Sequence, residues 1–336
     1  MVITFALILQ TTVGPPPYPL APSPVLDLHS LSHEVRLSGY VSVRETLRRD
    51  TLTAVVNRAR LTAQVRPAAF AAVRVQADFT ATGLSRADTV PAILLTDAYV
   101  ELLPPRTLDA SGAPALHPAL IIGQFRTPFS LEYLTPFSLL QTTNRSQPID
   151  RHTTRRDIGV LGQLTVGHAL TVTGALVNGE GSNRLTNPDG RQMAVGRLTV
   201  FPLARLAVSA KYLGQGVDHR WGYDARWIDH GLTVEGEFLA RRGPFSSTTT
   251  VDARGGYVLA SYRLRPWLQP VAKWEHLRDT RTAGTSTSTT SLTYTTAGLN
   301  LLSHGESIRL LVDAIYKSEA GVFTGTELEA QLVAIF

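Results

Sequence analysis

The chain has 336 residues, of which 43% are hydrophobic and 18% charged, with a formal charge of +5 and no cysteine. That composition excludes disulfides and thiolate metal sites, and the lack of long Glu/Lys/Leu/Ala-rich periodic stretches argues for an all-β chain. Lysine occurs only as Lys211, Lys273 and Lys317, so positive charge is almost entirely arginine. It is spread one or two per segment instead of being clustered on a helix or stacking platform, which argues against nucleic acid as a partner.

The chain starts with an apolar run, "MVITFALILQ", followed by the helix-breaking "TTVGPPPYPLAPSP". Residues 1–21 are expected to be a signal peptide with its processing region, and 22–33 a periplasmic linker. His29 and His33 in that linker have the i, i+4 spacing of a helical zinc pair but lack an accompanying catalytic acid pattern. No other stretch approaches the roughly 18 apolar residues of a spanning helix, so membrane residence would require a closed barrel.

From residue 34 the sequence falls into segments of about ten residues with period-two alternation. In "VVNRARLTAQVR" Arg58, Arg60, Thr62, Gln64 and Arg66 share one face, while Ala59, Leu61, Ala63 and Val65 share the other. "VRVQADF" sets Arg74, Gln76 and Asp78 against Val73, Val75, Ala77 and Phe79, and "SIRLLVDAIYK" sets Arg309, Asp313 and Lys317 against Ile308, Leu310, Val312, Ala314 and Tyr316. Strands are predicted near 34–45, 54–66, 69–79, 92–103, 118–126, 157–166, 168–178, 191–202, 204–214, 219–228, 230–240, 254–264, 266–277, 291–302, 305–317 and 326–336. The fold expected is thus an all-β, transmembrane antiparallel β-barrel of about 16 strands occupying 34–336, located in a bacterial outer membrane with lipid around it.

Connections support this expectation. Short links such as "VG", "FPL", "RP" and "SHG" alternate with "GEGSNRLTNPDG", "RRGPFSSTTTVDA", "DTRTAGTSTSTT" and "SEAGVFTG", which are expected to be long outer loops; only 104–118 is long where a short turn belongs. Trp221, Tyr223, Trp227, Trp267, Trp274, Tyr294 and Tyr316 are expected in interfacial girdles, and Phe336 ends a closing strand. A soluble β-sandwich would also alternate, but it would not carry charge at mid-strand on one face of every strand.

The stretch "GQFRTPFSLEYL" followed by "DIGVLGQL" resembles the phosphate-selective porin O and P family of bacterial outer-membrane proteins. Gly123, Gln124, Phe125, Arg126, Pro128, Phe129 and Glu132 carry the likeness, with Arg156, Asp157, Ile158 and Gly159, "NGEG", "VGRLTVFP" and Phe336. The resemblance implies a sixteen-stranded barrel, commonly a homotrimer, whose third outer loop, here 127–156, folds inward and narrows the lumen. The chain departs from the family in lacking its lysine-rich pore sites.

A pore of this kind selects by diameter and by rings of charge. Arg126, Arg145, Arg151, Arg155 and Arg156 are the expected anion-binding residues of the constriction, since guanidinium forks match phosphate, sulfate and carboxylate oxygens. Arg155 and Arg156 could equally anchor the loop through Asp150 or Asp157, and Glu132 is expected to tie the loop. Arg58, Arg60, Arg74, Lys273 and Arg309 are expected to line the lumen. The function expected is passive diffusion of small anions, phosphate or other oxyanions, with no cofactor and no catalysis: no G-x-S-x-G elbow, Walker loop or dinucleotide fingerprint occurs. The alternatives are a general, weakly selective porin or a non-conducting barrel that anchors the envelope or serves adhesion.

Overall fold

The computed structural model describes residues 35–80, 93–104, 107–108, 114–184 and 186–336. The expected signal segment, the linker and the His29/His33 pair lie outside them. The first strands are β1 (Val35–Arg48), β2 (Thr51–Ala68), β3 (Ala71–Asp78), β4 (Leu94–Leu102), the two-residue β5 (Thr107–Leu108) and β6 (Pro114–Arg126). Then follow β7 (Arg156–Val166), β8 (Leu170–Val177), β9 (Met193–Leu203), β10 (Leu206–Gln215), β11 (Asp218–Asp229) and β12 (Leu232–Pro244). The last are β13 (Thr249–Tyr262), β14 (Leu268–Ala283), β15 (Ser286–Leu302), β16 (Ile308–Glu319) and β17 (Val322–Ile335).

Successive strands pair antiparallel, and β17 returns to β1 from Tyr40↔Ile335 to Arg48↔Glu327, closing the sheet. β4 pairs directly with β6, from Ala98↔Gln124 to Leu102↔Leu120, so β5 is a flap on the extended start of β6 and the barrel has sixteen staves. That flap accounts for the unexpectedly long connection at 104–118. Closure satisfies the backbone groups that an open edge would expose to lipid. The terminal residue is part of it: Gly39 N–H donates to the Phe336 carbonyl at 2.8 Å and Phe336 N–H to the Gly39 carbonyl at 3.0 Å.

The strands are polar inside and apolar outside. In β10, Ser209, Lys211 and Leu213 are buried while Val208 and Tyr212 are exposed; in β16, Arg309, Leu311 and Asp313 are buried while Ile308, Val312 and Tyr316 face out. This inverts a soluble sandwich and is the pattern of a sheet solvated by hydrocarbon. The fold is that of an outer-membrane β-barrel. Trp221, Tyr223, Trp227, Trp267, Trp274 and Tyr316 all project outward. Tyr294 does not: it is buried on the inner face, with the Lys317 ammonium 5.3 Å from its ring centre.

Three of the four expected long loops are tight hairpins, because most of their residues, Thr- and Ser-rich in two of the three, continue the strands instead of leaving them. β12 and β13 are joined by 245–248, β14 and β15 by 284–285, and β16 and β17 by 320–321. β-Branched threonine favours pleated backbone, and cross-strand hydroxyl contacts such as Thr280–Thr289 at 3.1 Å and Thr282–Thr287 at 3.3 Å extend the ladder.

Candidate functional site

The connection between β6 and β7, residues 127–155, holds two short helices, α1 (Leu131–Leu134) and α2 (Gln147–His152), and a 3-10 turn at Phe137–Leu139. Ser130 caps α1, its hydroxyl accepting from Tyr133 N–H at 3.1 Å. Phe129, Tyr133 and Ile149 pack among inward side chains of the wall, including Leu161, Val195, Leu213, Leu239 and Tyr257. Phe137 and Leu140 pack against Tyr40, Leu311 and Val333.

Polar contacts reach strands far away in sequence, and most end on carboxylates. Glu237 accepts from Ser130 Oγ and from Glu132 N–H, each at 3.0 Å. Glu275 accepts from Gln147 N–H at 3.0 Å. Asp313 accepts from Thr143 N–H at 2.7 Å and its hydroxyl at 2.9 Å, and Glu329 from Thr143 Oγ1 and from Asn144 Nδ2. Hydrogen bonds to ionised acceptors are the stronger kind, worth roughly 1.5–3 kcal/mol each. Glu237 is bound in turn to Lys211, which also reaches Asp224 at 3.0 Å, and Asp224 accepts from Arg197 at 2.6 Å.

Inside the segment, the Glu132 carboxylate accepts from Ser146 N–H at 2.8 Å and Ser146 Oγ at 2.7 Å, so it ties the chain to itself. Burial raises this carboxyl to about 7, with the Lys273 ammonium, the Ser146 donors and Arg145 opposing the shift. Burial likewise lowers His152 to about 4, against the pull of Asp279 and aided by Arg241, Arg220 and Arg281. His152 is therefore neutral at pH 7, and its Nε2 contact with Asp279 at 3.3 Å is not an ion pair there.

Of the five expected constriction arginines, three gather around Tyr133. Arg126 donates to the Leu134 carbonyl at 2.7 Å, and Arg145 to the carbonyls of Glu132 at 3.2 Å and Thr135 at 3.0 Å, its guanidinium carbon 4.8 Å from the Tyr133 ring centre. Arg156 is buried between Asp97 at 2.6 Å and the Tyr133 hydroxyl at 3.2 Å. Arg151 and Arg155 stand apart and exposed, held by Gln147 at 2.9 Å and Asp150 at 3.1 Å. Arg156 thus pairs with Asp97, not with Asp157, whose carboxylate accepts from Ile158 and Gly181 N–H.

The five expected lining residues divide similarly. Arg60 bonds Asp78 at 2.8 Å, Arg58 approaches the same carboxylate at 3.8 Å and lies 5.1 Å from the Phe137 ring centre, and Arg74 bonds Asp97 at 3.3 Å. Lys273 and Arg309 face inward but lie beneath the segment, bonded to Thr142 and Asn144 and to the Ser138 carbonyl. Sequence reasoning passed over Arg44, which donates to Asn144 Oδ1 at 2.6 Å.

The result is an asymmetry of exposed charge. On the inner wall of β1–β3, Arg58 and Arg44 keep 32% and 21% of their side-chain surface exposed, whereas Asp78 keeps 0%. Glu237 of β12 keeps 0%, and Glu329, which stands 3.9 Å from Arg44 on the neighbouring β17, keeps 3%; both are covered by the segment they bind.

No protein-family model and no curated protein matches the sequence. Solved structures do match its fold. OmpTdeltaL8, a loop-deletion mutant of an outer-membrane protein of Vibrio cholerae, aligns over 90% of this chain and 99% of its own with TM-score 0.65 at 9% identity. OmpF of Salmonella typhi aligns over 91% and 98% with TM-score 0.64 at 12% identity. The anion-selective porin from Comamonas acidovorans aligns over 90% and 100% with TM-score 0.60 at 11% identity.

Proposed function

We propose that the protein is an outer-membrane porin, one that passes small anions, phosphate and related oxyanions among them, by passive diffusion. Residues 127–155 narrow the lumen, and permeating anions run along the arginines of β1–β3. The observation that carries this reading is the uneven cover over the two signs of charge. A segment that binds the wall acids with its backbone and hydroxyl donors removes negative charge from the water path, while guanidiniums of β1 and β2 remain partly open. In a lumen with low-dielectric walls the surplus positive potential concentrates anions. Several loosely held guanidiniums allow release as well as capture, which conduction needs.

On this reading Arg58 and Arg44 contact the permeating ion, with Arg60 and Arg74 behind them. Arg126, Arg145 and Arg156 hold the segment in place and contribute field more than contact. Arg151 and Arg155 belong to the mouth. The protein performs no covalent chemistry, residues 1–21 direct export, and residues 22–33 link to the barrel. It assembles as a homotrimer, a state in which the OmpT protein of Vibrio cholerae has been solved. Titration of phosphate into a chloride-conducting planar bilayer tests this function. Graded block of the chloride current supports it; chloride current unaffected by millimolar phosphate leaves a general porin, and no current from the folded barrel leaves a scaffold.

A further inference from the structure

On the outer face, two arginines interrupt the apolar surface of β13 and β14. Arg254 of β13 and Arg278 of β14 are direct cross-strand partners, and both are exposed. Neither makes a hydrogen bond or ion pair among the described residues. Like charges directly opposed on a sheet repel, so the pair is unfavourable unless an anion lies between them. The exposed carboxylate two residues along β13, Asp252, is already engaged by Arg242 at 2.7 Å. Asp252, Arg254, Arg278 and Thr280 border a depression of about 240 Å³.

Next to it is a groove of about 700 Å³ walled by Tyr223, Phe238, Val258 and Trp274, with Arg254 and Arg278 at its rim. Its floor includes Gly256, where a Cβ would come within 2.4 Å of the Glu237 carbonyl, so the floor cannot carry a side chain. Trp274 belongs to the outward aromatic set, and Arg278 lies four residues further along the same strand, about 13 Å at the usual strand rise. That offset lets the apolar slot receive an acyl chain while the two guanidiniums meet the headgroup it carries.

We infer that the outer face of β12–β14 binds a phosphate-bearing, acylated membrane lipid, its phosphate bridging Arg254 and Arg278 and one acyl chain lying in the groove over Gly256. Two adjacent forks satisfy a phosphate bidentately and relieve their mutual repulsion. The site depends on the barrel being embedded in lipid and is independent of whether the lumen conducts.

The full-length protein, refolded in neutral detergent, would be titrated with a diphosphorylated, acylated glycolipid and with its dephosphorylated form, with bound lipid read by native mass spectrometry. The phosphorylated lipid should be retained at least tenfold more strongly. The R254Q/R278Q variant should lose that preference while keeping the heat-modifiable migration of a folded barrel. V258W, which fills the groove and leaves both arginines, should also weaken retention. Equal retention of the two lipids, or wild-type retention by the double variant, would overturn the inference. So would displacement of the lipid by millimolar inorganic phosphate, which would reveal a simple anion site.

Discussion

Thr143 and Asp313, 170 residues apart, meet through two hydrogen bonds to a single carboxylate oxygen, from the threonine's N–H at 2.7 Å and its hydroxyl at 2.9 Å. Asp313 Oδ1 is left without a hydrogen bond while Oδ2 takes both donors, so this residue serves the segment and not the water of the lumen. Replacing Asp313 by alanine should free this part of the segment by about 1–3 kcal/mol. Single-channel records should then show more open-channel noise and a larger mean conductance; a quiet channel of unchanged conductance would show that the segment is held elsewhere.

The Glu132 tether should depend on pH. Its carboxyl titrates near 7 when folded, against 4.5 for a free glutamate, so the folded segment holds more protons between those values. Stability of the segment should therefore be greatest at acid pH and fall as pH rises from about 4.5 through 7, by at most about 3 kcal/mol. Open-channel noise and mean conductance should rise from pH 5 to pH 8, and Glu132→Gln should flatten that trend. A trend unchanged in the glutamine variant would assign it to another group.

Gly123 is the residue in the family-like stretch with the least freedom. Its φ is +130°, and a Cβ there would lie 2.3 Å from the Ala98 carbonyl oxygen and 2.8 Å from Tyr99 Cα. Gly123→Ala must move the β4–β6 pairing that launches the segment, and the yield of heat-modifiable barrel on refolding should drop severely. The control Gly162→Ala, with open space around it, should refold normally.

The strands, their facing and the closing phenylalanine were legible because alternation at period two is a local property of the chain. Arg58, Arg60, Arg74 and Arg309 all take the inner face that their phase predicts. Phase cannot report what covers an inward residue. Arg309 and Lys273 look like Arg58 in sequence, yet the segment 127–155 seals them, through contacts as distant as 171 and 131 residues. The same blindness hides the acids: phase alone puts Glu237, Asp313 and Glu329 on the wall, while in the fold they, with Glu275, receive the segment's donors. Tyr294 misled because position near a strand end suggests a girdle, whereas its parity turns it inward. The Thr-rich stretches look like loops by polarity and form strands instead, because β-branching is the stronger guide where strands run on past the membrane.

Arg58 and Arg151 separate lumen charge from mouth charge. Arg58 is partly open beside Phe137, whereas Arg151 is exposed and bonded to Gln147, where salt screens it. Arg58→Gln should reduce anion preference by a factor of two or more, and Arg151→Gln should leave it nearly unchanged, both read from ion permeability ratios.

The reversal potential of the refolded wild-type protein in a planar bilayer under a tenfold KCl gradient tests the central claim most directly. If the covered acids and open arginines set the field of the lumen, the potential takes the sign of chloride selectivity and moves toward zero in the Arg58→Gln variant. A potential at zero, or of the sign of potassium selectivity, would contradict the account.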